Sequence, residues 1–497
     1  MVLLLAAIVL TAAAWHRGAE YDEQYTMFVT SGTPRPIWPE AAFPAADVIR
    51  VQAGHAGLAT IAEDLRRTDV HPPLYFWAVA VWRWIVGDRL FAVRLLSVVC
   101  SLGALATVGP IARRCGISVP LAMLLTFGCY GFAYTGAIAR GFALAQLLTL
   151  VGIVGALSGR RLLGGALLGA AVATNYLAVF VGGAALVVFT VMPGEGPPST
   201  TCDVGTRKAM DGGPSLGMTV KLGAGFLPPV LIAAWFFLAQ RTSRTGQFPP
   251  FELLPALVRM ARYGAANLSG GLPLYVSDTA RPAVTGTLAF GLVALTALMI
   301  RRWQRIATPK IRVFLTAAAL ATPLGLLALG IVFNNTPIEL RYLSFATPFV
   351  ALLVAGAHPG RLVLAGIFAV QTASIAGLAL RPETMQPARA TAMAAAALAK
   401  DGVVLVPRGN DGAGIVGAFG TEAPLALPLL IVGPDETLAR IRARTAPFRR
   451  VVLALLTQDA TSQATVPAMR AAFATPDWRE AGIGLNVVAY ERVSDKE

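Results

Sequence analysis

The sequence predicts a mainly α-helical, polytopic membrane protein with a small C-terminal α/β domain, on three observations. The chain has 497 residues, of which 56% are hydrophobic and only 14% charged, where a soluble protein carries about 25% charged residues. Apolar runs close to the ~20 residues that cross a bilayer recur from the N-terminus to about residue 380. Beyond that point short strand-like runs alternate with helix-like segments. The net charge of +14 sits largely in short arginine clusters between apolar runs. That pattern marks membrane topology, and it lacks the exposed basic stripe that nucleic-acid binding needs.

The elements follow in order. MVLLLAAIVLTAAA (1–14) reads as a first transmembrane helix missing a few upstream residues; Ala12-Ala13-Ala14 would otherwise imitate a signal-peptidase site. Residues 15–90 form a first external loop that carries Pro34, Pro36, Pro39 and Pro44 and two amphipathic segments before residue 69. Within it, DVHPPLYFWAVAVWRWIVG (69–87) carries an apolar run, 73–86, of 14 residues. As a helix that is about 21 Å, short of the ~30 Å hydrocarbon core. With Arg83 between Trp82 and Trp84, it suits a helix lying along the membrane surface with a snorkelling arginine.

Crossings are then expected near 91–111, 118–136, 142–158, 162–174, 177–192, 221–238 and 283–300, with three more up to residue 380. The total is about eleven. If the 73–86 run does not cross, Arg113-Arg114, Arg160-Arg161, the RRWQRIATPKIR cluster (301–312) and HPGR (358–361) all fall on the cytoplasmic side, as the positive-inside rule requires. Residues 193–220 read as a cytoplasmic Gly/Pro/Ser/Thr-rich linker and 240–282 as an external loop. Gly165 and Gly169 have a spacing that permits close helix packing. The expected division is a transmembrane domain over 1–380 and an exported α/β domain over 381–497. Strands are expected at 402–407, 427–433, 449–456 and 485–493, with helices at 434–448 and 464–478. IVGPDE lacks the glycine spacing of a phosphate loop.

Ionisable groups gather at four expected external, membrane-proximal places: Asp22-Glu23 in EYDEQYT, Asp69 and His71 in DVHPPL, Arg140 in YTGAIARGFALAQ, and Glu339, Arg341 and Tyr342 in NNTPIELRYLSFATP. Each alone reads as an interfacial anchor; their convergence on one side and depth points to a site. The four histidines are scattered, so no metal motif is visible. The carboxylates of Asp22, Glu23 and Asp69 could take a divalent ion, but neither a metal nor another cofactor is expected. Cys100, Cys115 and Cys129 lie in or beside apolar runs and Cys202 in a loop, so no disulfide framework is implied.

An acidic pair after the first helix followed by DVHPPL resembles the protein O-mannosyltransferases and their bacterial relatives, the lipid A aminoarabinose transferases. RLLSVVCSLGAL (94–105), ARGFAL (139–144) and RYLSFATPFVALL (341–353) are similar to later motifs of that family. The resemblance covers about residues 1–380 and implies a GT-C-like fold with external membrane-parallel helices. It also implies a glycosyltransferase moving mannose or a similar sugar from a polyprenyl-phosphate donor to an envelope lipid, glycan or protein on the outer face of a bacterial cytoplasmic membrane.

In that family the acidic residue of the first loop is the catalytic base, which places Asp22 in the role with Glu23 as its neighbour; Asp69 is the rival. Arg140 and Arg341, with Tyr342 beside the latter, are candidate donor-phosphate ligands, because a guanidinium matches phosphate bidentately. His71 either bonds the donor or holds Asp69 in place. The sequence departs from the family at Ala145 and Gln146, where many relatives carry an aspartate, and in its C-terminal segment. A transporter or lipid-linked-sugar flippase is the competing class. It would be expected to show paired repeats and charged, broken helices near the midplane, whereas most crossings here are uncharged in the middle.

Overall fold

The computed structural model describes residues 1–191, 216–240, 250–269, 271–306, 308–336, 338–381 and 387–493. Helix α1 (Val2–His16) is followed by α2 (Tyr21–Ser31), a two-residue strand β1 (Phe43–Pro44), α3 (Ala46–Gln52), α4 (Leu58–Thr68) and α5 (Leu74–Val86). The apolar series runs α6 (Leu90–Arg114), α7 (Val119–Gly128), α8 (Tyr130–Gly136), α9 (Phe142–Leu157), α10 (Arg161–Thr174), α11 (Ala178–Val191) and α12 (Leu216–Gln240). It continues with α13 (Leu253–Ser269), α14 (Leu272–Tyr275), α15 (Arg281–Arg301), α16 (Pro309–Phe333), α17 (Thr347–Gly356) and α18 (Arg361–Leu380). Last come α19 (Ala388–Ala399), β2 (Val403–Pro407), α20 (Gly414–Glu422), β3 (Pro428–Val432), α21 (Leu438–Thr445), β4 (Arg450–Ala454), α22 (Ala460–Phe473), β5 (Trp478–Gly484) and β6 (Val487–Arg492).

Every expected apolar run is helical, but five of the described helices are long and apolar enough to cross a bilayer, or up to seven if two bent pairs each count as one span. The expected crossing 118–136 is one such pair, α7 and α8, bent by 73° at Cys129. The expected external loop 240–282 contains the amphipathic helix α13. Most of the linker 193–220 lies outside the described residues, and its last five residues already belong to α12.

The chain forms two compact units: residues 1–12, 69–75 and 97–377, and residues 13–68, 76–96 and 378–497. This differs from the expected division at residue 380. In the second unit the first-loop segment adds β1 to the edge of the C-terminal sheet, Phe43 pairing with Leu429 and Pro44 with Pro428. Trp38 stacks on Phe43 at 5.4 Å and donates to the Gly412 carbonyl at 2.7 Å. A Pro-rich loop gave no period-2 pattern by which such a short strand could be found.

The six-stranded sheet of the second unit has the order β1-β3-β2-β4-β6-β5, with β2, β3 and β4 parallel. Its central strands are buried on both faces, as apolar strands of parallel sheets must be. Val404 and Val406 enter one core with Phe28, Val48 and Phe419, while Val403 and Leu405 enter the other with Ile441, Met469 and Phe473. Residues 478–484, partly expected in a helix, form the edge strand β5 instead. Arg83, expected to snorkel, is 2% exposed. Its guanidinium donates to the carbonyl of Gln52, the Thr30 hydroxyl and Asp88. Trp84 at 75% and Ile85 at 76% exposure leave α5 with an open apolar edge. The tryptophans gave the surface character, and the arginine serves internal hydrogen bonding.

In the first unit, α10 lies against α12 through glycines. A Cβ on Gly165 would meet the Leu222 carbonyl oxygen at 2.1 Å, one on Gly169 that of Phe226 at 2.6 Å, and one on Gly225 that of Leu162 at 2.1 Å. Backbones this close tolerate only hydrogen at those positions. Four basic turns share one end of this unit. Arg114 donates to Ser158 at 2.8 Å, Arg302 donates to the His358 carbonyl, and Arg114, Ile117, Arg305, Thr308, Gly356 and His358 help line one pocket.

Candidate functional site

The second unit carries Asp22 and Glu23 in the first turn of α2. Glu20 caps that helix, and its backbone N–H donates to Glu23 Oε2 at 3.0 Å. Arg94 donates to both Glu23 oxygens, at 2.8 and 2.5 Å, and to the carbonyls of Ala14, Arg17 and Gly18 at 3.0, 2.9 and 2.8 Å. Glu23 is 0% and Arg94 2% exposed, so this bidentate pair is a buried clamp on the turn that leads into α2. Arg17 also pairs with Glu20. Asp22, by contrast, is partly exposed. Burial, with the Asp411 charge close by, pushes the Tyr21 and Tyr25 hydroxyls well above the usual phenol range. Both remain neutral donors, Tyr25 to Tyr21 at 2.7 Å and Tyr21 to Asp459 at 3.3 Å.

In the first unit the structure brings together Asp69, His71 and Arg140. Asp69 Oδ1 accepts from the Val70 N–H at 2.7 Å and lies 3.0 Å from His71 Nδ1. Arg140 Nη2 is 2.9 Å from His71 Nε2. A guanidinium can only donate, so Nε2 presents its lone pair and the ring proton sits on Nδ1, facing Asp69. The imidazole is therefore neutral and links a 1%-exposed carboxylate to an arginine. Gln240 donates to the His71 carbonyl at 3.0 Å and accepts from the Tyr176 hydroxyl at 2.8 Å, fixing the backbone of the same turn. A Cβ on Gly141 would fall 3.0 Å from the Thr174 carbonyl and 3.2 Å from Tyr75, so the residue after Arg140 has to be small.

Arg341 and Tyr342 lie on a 3₁₀ helix, Leu340–Ala346. Arg341 pairs with Glu339 at 2.6 Å, and the Tyr342 ring is tilted 6.1 Å from Phe142, two residues after Arg140. Gln146, the position that departs from the resembled family, donates to Ser344 at 3.0 Å and to Thr135 at 3.2 Å, while Asn267 donates to the Leu343 carbonyl at 3.0 Å. A neutral amide here pins the 3₁₀ segment without placing a charge in a buried position. Arg94, Gln240 and Tyr176 were not singled out in the sequence. Only Arg94 carried a signal, as the first residue of RLLSVVCSLGAL. Among the described residues no group of three His, Cys, Asp or Glu side chains could hold a metal ion.

No family model and no curated protein sequence matches the chain. Solved structures do. ArnT from Cupriavidus metallidurans bound to undecaprenyl phosphate is similar with a TM-score of 0.53 at 12% identity, over 99% of this chain and 98% of that one. ArnT in the apo state gives 0.42 at 14% identity, over 99% and 97%. The archaeal oligosaccharyltransferase AglB from Archaeoglobus fulgidus, in complex with an inhibitory peptide and a dolichol-phosphate, gives 0.41 at 12% identity, over 100% and 74%. The chain, mainly α-helical with a C-terminal α/β sheet, has a GT-C-like fold similar to that of ArnT over nearly the whole length of both.

Proposed function

We propose that the protein is a membrane glycosyltransferase that moves a sugar, mannose or a similar hexose or pentose, from a polyprenyl-phosphate donor to an envelope lipid, glycan or protein. The fold it shares with a protein that binds undecaprenyl phosphate supports the donor class. The observation that carries the assignment of roles is the unequal state of the three acids. Glu23 is sealed against Arg94, and Asp69 is buried facing His71, whereas Asp22 keeps accessible surface. A general base has to come within about 2.6–3.2 Å of the proton it takes, which favours Asp22. Glu23 then shapes the turn beneath it, and Asp69 orients His71.

In this reading the acceptor oxygen attacks the anomeric carbon as its proton passes to Asp22. The bond to the phosphate oxygen breaks, and polyprenyl phosphate leaves with the electron pair. Attack opposite the leaving group inverts the anomeric carbon. The leaving group is already stable as an anion, so the need is for cations rather than a general acid. Arg140, aimed by His71, and Arg341, beside Tyr342, supply them. The acceptor side is assigned to the external face of a bacterial cytoplasmic membrane, together with the C-terminal α/β segment.

The test is Asp22→Asn beside Asp69→Asn, with release of polyprenyl phosphate from a labelled donor and donor binding measured separately. Asp22→Asn should lower turnover by about 10²–10⁴-fold and leave donor affinity intact. Near-normal turnover in Asp22→Asn with a dead Asp69→Asn would transfer the role to Asp69.

A further inference from the structure

The basic end of the first unit has no part in the chemistry above, and its charge is one-sided. Its four turns (112–118, 158–162, 300–313 and 356–362) contain Arg113, Arg114, Arg160, Arg161, Arg301, Arg302, Arg305, Lys310, Arg312 and Arg361, with no Asp or Glu among them. Hydrogen bonds from Arg114 to Ser158, from Arg302 to the His358 carbonyl and from Arg312 to the Trp303 carbonyl hold these turns together. Such a concentration of cations repels itself and attracts anions.

The same end contains a receptacle. Arg114, Arg305, Thr308 and His358 line a pocket of about 400 Å³ whose other described walls are Cys115, Gly116, Ile117, Ile311 and Gly356. A second, apolar cavity of about 590 Å³ lies among α15, α17 and α18. Its lining starts at Leu298, Val354 and Val363, each within about one helical turn of the basic ends at Arg301, Gly356 and Arg361. A hydrophilic anion holder and an apolar slot thus occur on the same helices, head toward the basic turns and slot toward the apolar spans.

We infer that this end binds an anionic phospholipid, its headgroup phosphate held by Arg114 and Arg305 in the pocket with His358 and Thr308, and an acyl chain in the cavity between α15, α17 and α18. Basic pockets between transmembrane helices select anionic headgroups by charge, and two guanidiniums on different helices give a phosphate bidentate contacts. A soluble phosphate would satisfy the pocket but would leave the adjoining apolar slot unfilled, which is why the lipid is the assigned source.

The test uses the full chain reconstituted in nanodiscs of phosphatidylcholine alone or doped with phosphatidylglycerol. It reads thermal melting and, by native mass spectrometry, retained lipid. Wild type should melt higher with phosphatidylglycerol and retain it selectively. Arg114→Gln with Arg305→Gln should lower that affinity by about tenfold or more, and its melting temperature should no longer rise from pure phosphatidylcholine to phosphatidylglycerol-doped discs. Arg114→Lys with Arg305→Lys should keep part of the selectivity. Replacing Gly291 in α15 by Leu should reduce retention by narrowing the slot, with the headgroup residues intact. Equal phosphatidylglycerol retention in the Gln variant would overturn the site. A melting shift reproduced by inorganic phosphate in phosphatidylcholine discs would assign the pocket to a soluble anion and overturn the lipid.

Discussion

Arg94 and Glu23 illustrate how one residue pair can matter for shape rather than chemistry. Their charges are buried and satisfied by each other and by three carbonyls, so removing one partner strands the other in a low-dielectric place. Arg94→Ala should destabilise the second unit by about 3–5 kcal/mol, read as a lower melting temperature in detergent. Glu23→Gln, which keeps an oxygen for Arg94, should cost less and lower turnover less than Asp22→Asn. Arg140 behaves differently, because in its contact with His71 the guanidinium meets an imidazole nitrogen and not a carboxylate. Arg140→Ala should therefore weaken donor affinity by about 1.5–3 kcal/mol without a comparable fall in melting temperature. Wild-type donor kinetics in that variant would make the arginine an interfacial anchor. Among the candidate residues, Asp22, Asp69, His71 and Arg140 were legible because short motifs carry them. Gln240 and Tyr176 were not, since a glutamine near a helix end and a tyrosine before α11 have no local pattern that announces a distant carbonyl.

At the scale of elements, the contact between α10 and α12 depends on what is missing from side chains. Gly165 stands with its Cα against the Leu222 carbonyl, and Gly225 fits against Leu162 in the same way. Gly165→Val has to force backbone from backbone, which cannot yield as a flexible side chain would. It should cost at least about 1–3 kcal/mol, measured by thermal melting of the purified protein, with Gly183→Ala, which meets nothing within 4 Å, as the control. The spacing of Gly165 and Gly169 was visible in sequence, but the partner was not, because the facing segment carries its own glycine at position 225 in no matching register. Helix α5 gives the complementary case. Its 13 residues amount to about 20 Å, short of the ~30 Å hydrocarbon core, and that shortness was readable from length alone. The fate of Arg83 was not, because burial of a guanidinium depends on the carbonyls that other elements bring to it.

For the whole molecule, the basic turns fix a direction. Arg114 meets Ser158 at one end of α9, and Arg140 precedes the other end, so the 16 residues of α9, about 24 Å of helix, separate the basic end from the Asp69–His71–Arg140 link. The positive-inside rule predicts that the link faces outward. Single cysteines placed after residue 88 and near residue 410, in a variant lacking the native cysteines, should react with an impermeant reagent added outside intact cells. Reaction only after the membrane is opened, at either place, would reverse the orientation and every role that depends on it.

The sequence by itself determined the class of the molecule, the positions of its apolar helices, the four turns that share a basic end, the four principal strands of the α/β domain and the motifs that bring Asp22, Asp69, His71 and Arg140 to notice. Each of these is written in local composition: hydrophobic length, arginine clustering, period-2 runs and short motifs. Tertiary structure alone decided that the first-loop segment joins the C-terminal sheet through β1, that α7 and α8 bend at Cys129, that Glu23 is sealed by Arg94, and that a buried amide at Gln146 holds the 3₁₀ helix beside Arg341. These outcomes depend on hydrogen bonds and packing between residues far apart in the chain. Which distant group satisfies a buried polar atom is fixed only when the whole chain has folded around it.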